Sequence, residues 1–290
     1  MTTLQENARA KLNLSLQVLG RRGDGFHQIR SLVAFATIGD VVSLQPADAL
    51  SLTADGPFAS DLSGDNLILQ AAHGVRAAFP SLALGHFRLE KNLPVASGIG
   101  GGSADAAAAL RLIAAANGGA PTYEEQLAIS ASLGSDVPVC VASRPTLMTG
   151  RGEMLRAVRG LPSCGVVLAN PGVPLSAAEV YRALNAQPLA ASDAEMDAPD
   201  FAASFDALLD YLPTRPNDLQ GPAMRLAPVI GDVLAALEAL PGARLARMSG
   251  SGATCVALFA DRAEAEAAKS LMAEAHPDWW LAAGGLARAV

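Results

Sequence analysis

The chain has 290 residues, 51% of them hydrophobic and 4% aromatic, with a net charge of −7. That length suits one large domain or two ordinary ones at roughly 100–200 residues each, and the apolar fraction excludes a disordered chain. No cluster of five or more Lys/Arg occurs, so the electrostatic footprint of a nucleic-acid binder is missing. No apolar run approaches the ~20 residues of a membrane span, and the polar stretch up to Lys11 lacks the apolar core of a signal peptide. Cys140, Cys164 and Cys255 are far apart, odd in number and outside any CxxC spacing, which points away from a zinc site or disulfide framework. Three buried, reduced thiols in a cytoplasmic protein are expected.

Residues 8–18 alternate: Ala8, Ala10, Leu12, Leu14, Leu16 and Val18 share one face, and Lys11, Asn13, Ser15 and Gln17 the other. Period two predicts a strand with one buried face. Lys11 and Asn13 then project side by side from the polar face, where a lysine is either simply solvated or part of a site. A turn follows at 21–25. Two strands are expected next, Ile29–Phe35 and Val41–Leu44, divided by a turn at Gly39-Asp40. Helical spacing covers Asn66–Phe79, and Phe87–Leu89 reads as a short strand entering a glycine loop. Ala104–Ala116 is a strong helix whose small side chains allow close approach. Thr122, with Glu125 three residues on, has the pattern of a capping box opening a helix that ends near Leu133.

In the second half, Gly165–Ala169 reads as a strand, Ser176–Leu184 and Phe205–Leu212 as helices, and 186–200 as a loop. Val229–Leu240 is an amphipathic helix. Strands Arg244–Met248 and Thr254–Phe259 flank a tight turn at Gly250-Ser251-Gly252, and Ala263–Ala275 is a last helix. Trp279 and Trp280 read as packing residues. Strands and helices mix without strict βαβ alternation, and several strands precede the first helix. The fold class expected is therefore α+β.

The richest chemical signal is Pro94-Val95-Ala96-Ser97-Gly98-Ile99-Gly100-Gly101-Gly102-Ser103-Ala104. Four glycines in five residues would ruin a helix or strand interior. They make sense where backbone N–H groups must approach a ligand closely. The segment opens a helix, so those donors and the positive end of the helix dipole would face a bound anion. Ser103, in the N-cap region, could cap the helix or reach a phosphate or Mg²⁺. The loop is not a Walker A motif, since no GK[ST] follows, and Ser103 stands where a dinucleotide fingerprint needs Gly or Ala. Asp136, in the turn Gly134–Pro138, is either a turn or N-cap residue or a base beside the phosphate site, held ionised by a lysine such as Lys11.

Together these residues resemble the GHMP kinases. Gly98–Ser103 is similar to their phosphate loop and Gly250-Ser251-Gly252-Ala253-Thr254 to their C-terminal glycine motif. Ala10–Leu14, Arg22–His27, Asp65–Leu67, Leu133–Pro138 and Asn217–Leu219 resemble the branch acting on a cytidine-diphosphate derivative of methylerythritol in the non-mevalonate route to isoprenoids. The likeness runs from about residue 6 to 285.

The resemblance implies a two-lobed GHMP kinase fold with the active site in the cleft between the lobes, residues 1–155 forming the N-terminal domain and 156–290 the C-terminal one. It implies a soluble, cytoplasmic enzyme, monomer or homodimer, that phosphorylates the 2-hydroxyl of its small-molecule substrate with ATP and Mg²⁺. By the same resemblance Lys11 and Asp136 are the catalytic pair. Residues 94–104 wrap the ATP phosphates, with Asn66 and Lys91 on the nucleotide side. Asn13 lies near the transferring group, and His27 reads the cytosine edge. Phe26, where the family often has tyrosine, and Tyr181 stack on the base. The other readings are a homoserine- or mevalonate-type kinase, or a silent nucleotide sensor. The segment Asp24–His27 speaks against the first, and the presence of both Lys11 and Asp136 against the second.

Overall fold

The computed structural model describes residues 3–62, 64–189 and 197–287. Part of the expected loop 186–200 therefore lies outside the described residues. Two compact units are woven from alternating stretches of chain. The first holds residues 1–10, 39–95 and 100–143, and the second 11–38, 96–99 and 144–290. The expected division at 155/156 falls inside a strand, Met154–Ala157, of the second unit.

In the first unit, strand β3 (His27–Pro46) contributes its later half, which pairs antiparallel with β5 (Gly85–Glu90), and β5 pairs parallel with β4 (Ser51–Asp55). Four helices accompany these strands: α1 (Leu67–Ala78), α2 (Gly101–Ala116), α3 (Tyr123–Ser130) and α4 (Val137–Ala142). Asn66 caps α1 by accepting from the Ile68 N–H at 2.8 Å. Thr122 and Glu125 form the reciprocal capping box of α3. Helix α2 is buried almost all round, and its alanines let α1 and α4 pack close against it.

Gly39-Asp40 is not a turn: β3 runs unbroken through it for 20 residues. The glycine serves close approach, since a methyl group there would lie 2.5 Å from the Ala8 carbonyl oxygen. Asp40 is buried and receives the N–H groups of Asn92 and Leu93 at 2.6 and 2.8 Å. A Gly-Asp pair has the composition of a turn, but these two residues are there for backbone contact and a buried carboxylate.

In the second unit the earlier half of β3 pairs antiparallel with β2 (Gln17–Arg21) and β6 (Thr146–Gly150), and β6 with β7 (Met154–Ala157). The strand expected over 8–18 divides into β1 (Leu4–Asn13) and β2. Between them the chain changes partner: Leu14 N–H donates to Leu32, and Leu16 N–H to Pro216.

A second sheet is fully antiparallel, in the order β11 (Trp280–Gly285), β8 (Gly165–Asn170), β10 (Cys255–Phe259), β9 (Leu245–Met248). The inner strands β8 and β10 are buried along their whole length, which is why they read as continuous apolar runs. Helices α5 (Ala177–Leu184), α6 (Phe205–Tyr211), α7 (Gln220–Leu226), α8 (Val229–Glu238) and α9 (Arg262–Ala275) complete the unit. Val167, Phe259, Val233, Leu237 and Met272 share one core in which α8 and α9 cover the sheet. The three thiols are buried, and burial pushes Cys164 and Cys255 up to about 12, so neither is a reactive thiolate at neutral pH.

Candidate active site

The polar side chains at the end of β1 and just beyond it are not solvated. Lys11 is 4% exposed, and Asn13 and Ser15 are buried with it. A buried polar stripe must be bonded, and this one is tied to the glycine loop. The Lys11 N–H donates to the Ile99 carbonyl at 2.8 Å, and the Asn13 N–H to the Ser249 hydroxyl at 3.0 Å. That hydroxyl in turn donates to the Gly98 carbonyl at 3.4 Å. Asn13 Nδ2 donates to the Ser31 hydroxyl at 2.7 Å, while its Oδ1 is buried without a hydrogen-bond partner. An orphaned acceptor of this kind fits a hydroxyl donor supplied by a ligand.

The C-terminal glycine turn is fastened to the same loop inside the second unit. The Thr254 N–H donates to the Ser97 carbonyl at 3.2 Å. Gly98 has φ +77°, and a methyl group there would sit 2.5 Å from the Gly252 carbonyl oxygen. Asn217 holds the turn from behind, its Nδ2 donating to the carbonyls of Met248 and Gly250 at 2.8 Å each. The buried Arg247 donates to the carbonyls of Leu14, Leu212 and Arg215. Ser249, Ser31 and Arg247 carry no motif of their own. Only their position beside Gly250 or in a strand distinguishes them in the sequence.

In the first unit the loop runs into α2. Gly100 occupies the N-cap with φ +64° and offers no side-chain cap. Ser103, expected in the N-cap region, is the third residue of the helix instead. The first-turn N–H groups of a helix have no intrahelical acceptor, and here no side chain substitutes for one. At this start Gly101 is buried, Gly102 exposed and Ser103 half-buried. Such a helix start fits the phosphates of ATP, and the Ser103 hydroxyl fits a Mg²⁺ bound to them. Asp136 is the N-cap residue of α4, but its carboxylate makes no capping bond to that helix.

Lys91, expected along the nucleotide side, engages its ammonium with two buried carboxyl groups. It is 2% exposed, with Nζ 2.5 Å from Asp40 Oδ2 and 2.9 Å from Asp105 Oδ2. Burial works against the lysine's charge, but Asp105 and Asp40 outweigh it and move its pKa up. Burial pushes the Asp105 carboxyl up to about 8 against the pull of the ammonium. Asp105 is the one carboxylate in the alanine-rich helix α2, a signal the sequence offered and spacing rules pass over. Asn66 spends its Oδ1 on capping α1.

The aromatic residues divide. His27 and Tyr181 stack on each other, ring centroids 4.8 Å apart at 29°. Phe26 is 52% exposed and carries the Arg151 guanidinium over its ring at 5.2 Å. Burial and the neighbouring Arg21 lower the His27 pKa, which favours the neutral ring.

Within the second unit, residues 97–99 of the glycine loop are fastened to a second glycine turn and to the strand that bears the buried Lys11. Models of the GHMP kinases match here, the N terminal domain over residues 66–144 and the C terminal domain over 198–278. The chain belongs to the GHMP kinase family and is an ATP-dependent small-molecule kinase.

Within the family, its similarity is to proteins named 4-diphosphocytidyl-2-C-methyl-D-erythritol kinase. That of Rhodopseudomonas palustris is 49% identical, covering 98% of this chain and 97% of the relative. That of Parvibaculum lavamentivorans is 50% identical, covering 97% and 98%. A crystal structure of 4-(cytidine 5'-diphospho)-2C-methyl-D-erythritol kinase aligns with TM-score 0.75 and 32% identity over 98% of this chain and 99% of that one. A homoserine kinase from Cytophaga hutchinsonii, at 17% identity and TM-score 0.68 over 99% of this chain and 95% of that one, shares the fold. Among the described residues no helix is long and apolar enough to cross a membrane.

Proposed function

We propose that this chain transfers the γ-phosphoryl group of ATP to the 2-hydroxyl of 4-diphosphocytidyl-2-C-methyl-D-erythritol, in the cytoplasm, on the non-mevalonate route to isoprenoid precursors. The observation that carries the acceptor assignment is the His27–Tyr181 stack: a neutral imidazole with an edge for hydrogen bonding, held against a second ring. A homoserine or mevalonate acceptor has no base for such a surface to read. Phe26 adds an exposed aromatic face for the cytosine.

In this reading Asp136 accepts the proton of the 2-hydroxyl as its oxygen bonds to phosphorus, and Lys11 steadies the charge that develops on that oxygen. Asn13 Oδ1 accepts from the acceptor and orients it. Bound ATP supplies the phosphoryl group and leaves as ADP; Ser103 would hold a Mg²⁺, which would supply charge neutralisation at the phosphates. The backbone of 94–104 holds the triphosphate in place, so the acceleration comes from position and charge rather than from a covalent step.

An ADP-release assay with cytidine-diphosphate methylerythritol, homoserine and mevalonate as separate acceptors tests this. Turnover should occur with the first alone, and Asp136→Ala should lower it by about 10²–10⁴-fold. Turnover with either of the others, or none with the first, would sink the assignment.

A further inference from the structure

We propose that Lys91, Asp40 and Asp105 form a buried clamp that positions both flanks of the glycine loop, and so act as positioning residues for the triphosphate. The proposal rests on the loop being the ATP cradle. All three residues lie in the first unit, each at most 3% exposed.

The clamp reaches three elements. Asp40 belongs to β3, Lys91 follows β5, and Asp105 sits on the first turns of α2. The lysine ammonium bonds one carboxylate on the strand and one on the helix. The other oxygen of Asp40 receives the N–H groups of Asn92 and Leu93, the residues just before Pro94. The Lys91 backbone is itself held, its N–H donating to Asp55 at 2.7 Å and its carbonyl accepting from Phe58 at 3.1 Å. On the other flank the ammonium lies against the helix start: a methyl group on Gly101 would be 3.0 Å from Nζ. One cation thus fixes the strand leading into the loop and the helix leading out of it.

Stability does not require this choice. A buried ion cluster is often no more stable than apolar side chains of the same volume, because each charge must be desolvated. Charge-assisted hydrogen bonds fix distance and direction, whereas apolar packing does not. A displacement of about 1 Å can cost a site on the order of 10²-fold, so a directional anchor matters where N–H groups must meet phosphate oxygens. The remaining oxygen of Asp105, Oδ1, is buried without a hydrogen-bond partner, which tells further against a cluster optimised for stability.

The test measures affinity for a non-hydrolysable ATP analogue by calorimetry, together with thermal stability and the KM values of both substrates. Asp105→Leu keeps much of the volume and removes the oxygen that accepts from Lys91 Nζ. It should weaken analogue binding and raise the KM for ATP about tenfold or more, while the acceptor KM stays within about twofold. The triple variant Asp40→Asn with Lys91→Met and Asp105→Leu removes every charge and keeps an amide oxygen for the Asn92 and Leu93 N–H groups. It should recover thermal stability yet still bind the analogue weakly. Wild-type affinity in Asp105→Leu, or affinity recovering together with stability in the triple variant, would overturn the clamp. A wild-type protein that binds the analogue but does not turn over the cytidine substrate would refute the acceptor reading instead, and the binding comparison would still decide the clamp.

Discussion

The backbone N–H of Asn13 donates to the hydroxyl of Ser249, 236 positions away, and that hydroxyl donates to Gly98. A single buried oxygen therefore joins the strand that carries Lys11 to the glycine loop. Ser249→Ala removes it and leaves the buried Asn13 N–H without an acceptor. The loss should cost about 1–3 kcal/mol of stability, seen as a lower midpoint in urea. Turnover should fall as well, since Lys11 and the loop lose their common anchor, whereas nothing at His27 is touched.

Gly98→Ala should be more damaging. Its backbone is left-handed at φ +77°, and the new methyl group would meet the Gly252 carbonyl at 2.5 Å. Neither chain segment can yield without moving the loop. The expected result is a folded protein whose kcat/KM for ATP is down by about 10²-fold or more. Near-normal kinetics would mean that the contact between the two glycine segments does not set the loop.

Tyr181→Ala removes one partner of the stacked pair. The KM for the cytidine substrate should rise about 3–10-fold, in line with an aromatic contact of roughly 0.5–1.5 kcal/mol, with the KM for ATP unchanged. Tyr181→Phe keeps the ring and should behave close to wild type. A rise in the KM for ATP would remove Tyr181 from the acceptor side.

His27 supplies the pH dependence. Burial and Arg21 hold its pKa below the ordinary 6.5, so the unfolded chain takes the proton more readily than the folded one. Its stabilising contribution is complete above 6.5 and fades as pH falls through that value toward the folded pKa. Acceptor KM should be flat through neutrality and rise once the ring charges, at a pH below the ordinary 6.5, with His27→Gln abolishing that limb. Kinetic titration of the two proteins side by side checks it.

Thr122→Ala is the control in stability alone. The capping box of α3 holds two backbone N–H groups reciprocally. Its loss should cost about 1 kcal/mol and leave both KM values unaltered.

The sequence made the local features legible and left the long-range ones hidden. The helices at 67–78, 123–130 and 262–275 follow from periodicity and capping residues within one or two turns of the chain, whereas α2, expected from Ala104, begins at Gly101 without a side-chain cap. The buried strands β8 and β10 follow from unbroken apolar runs. Gly39-Asp40 misled because a glycine placed for close approach has the same composition as one placed for a turn. Lys11 could not be told from a solvated lysine, because its burial depends on partners that spacing does not reveal. Asp40 and Asp105 were missed for the same reason, being 51 and 14 residues from the lysine they bind. The strands 146–150 and 154–157 are short and lack alternation, and 51–55 alternates but is only five residues long.

The account turns on Asp136 as the base and Lys11 as the group that steadies the forming bond. ADP release from ATP in the presence of cytidine-diphosphate methylerythritol, measured for wild type, Asp136→Asn and Lys11→Met, addresses it most directly. The account predicts turnover in wild type and a drop of about 10²–10⁴-fold in each variant, with ATP-analogue affinity retained in Asp136→Asn. Normal turnover in Asp136→Asn, or a wild type that binds ATP and transfers nothing to the acceptor, would contradict it.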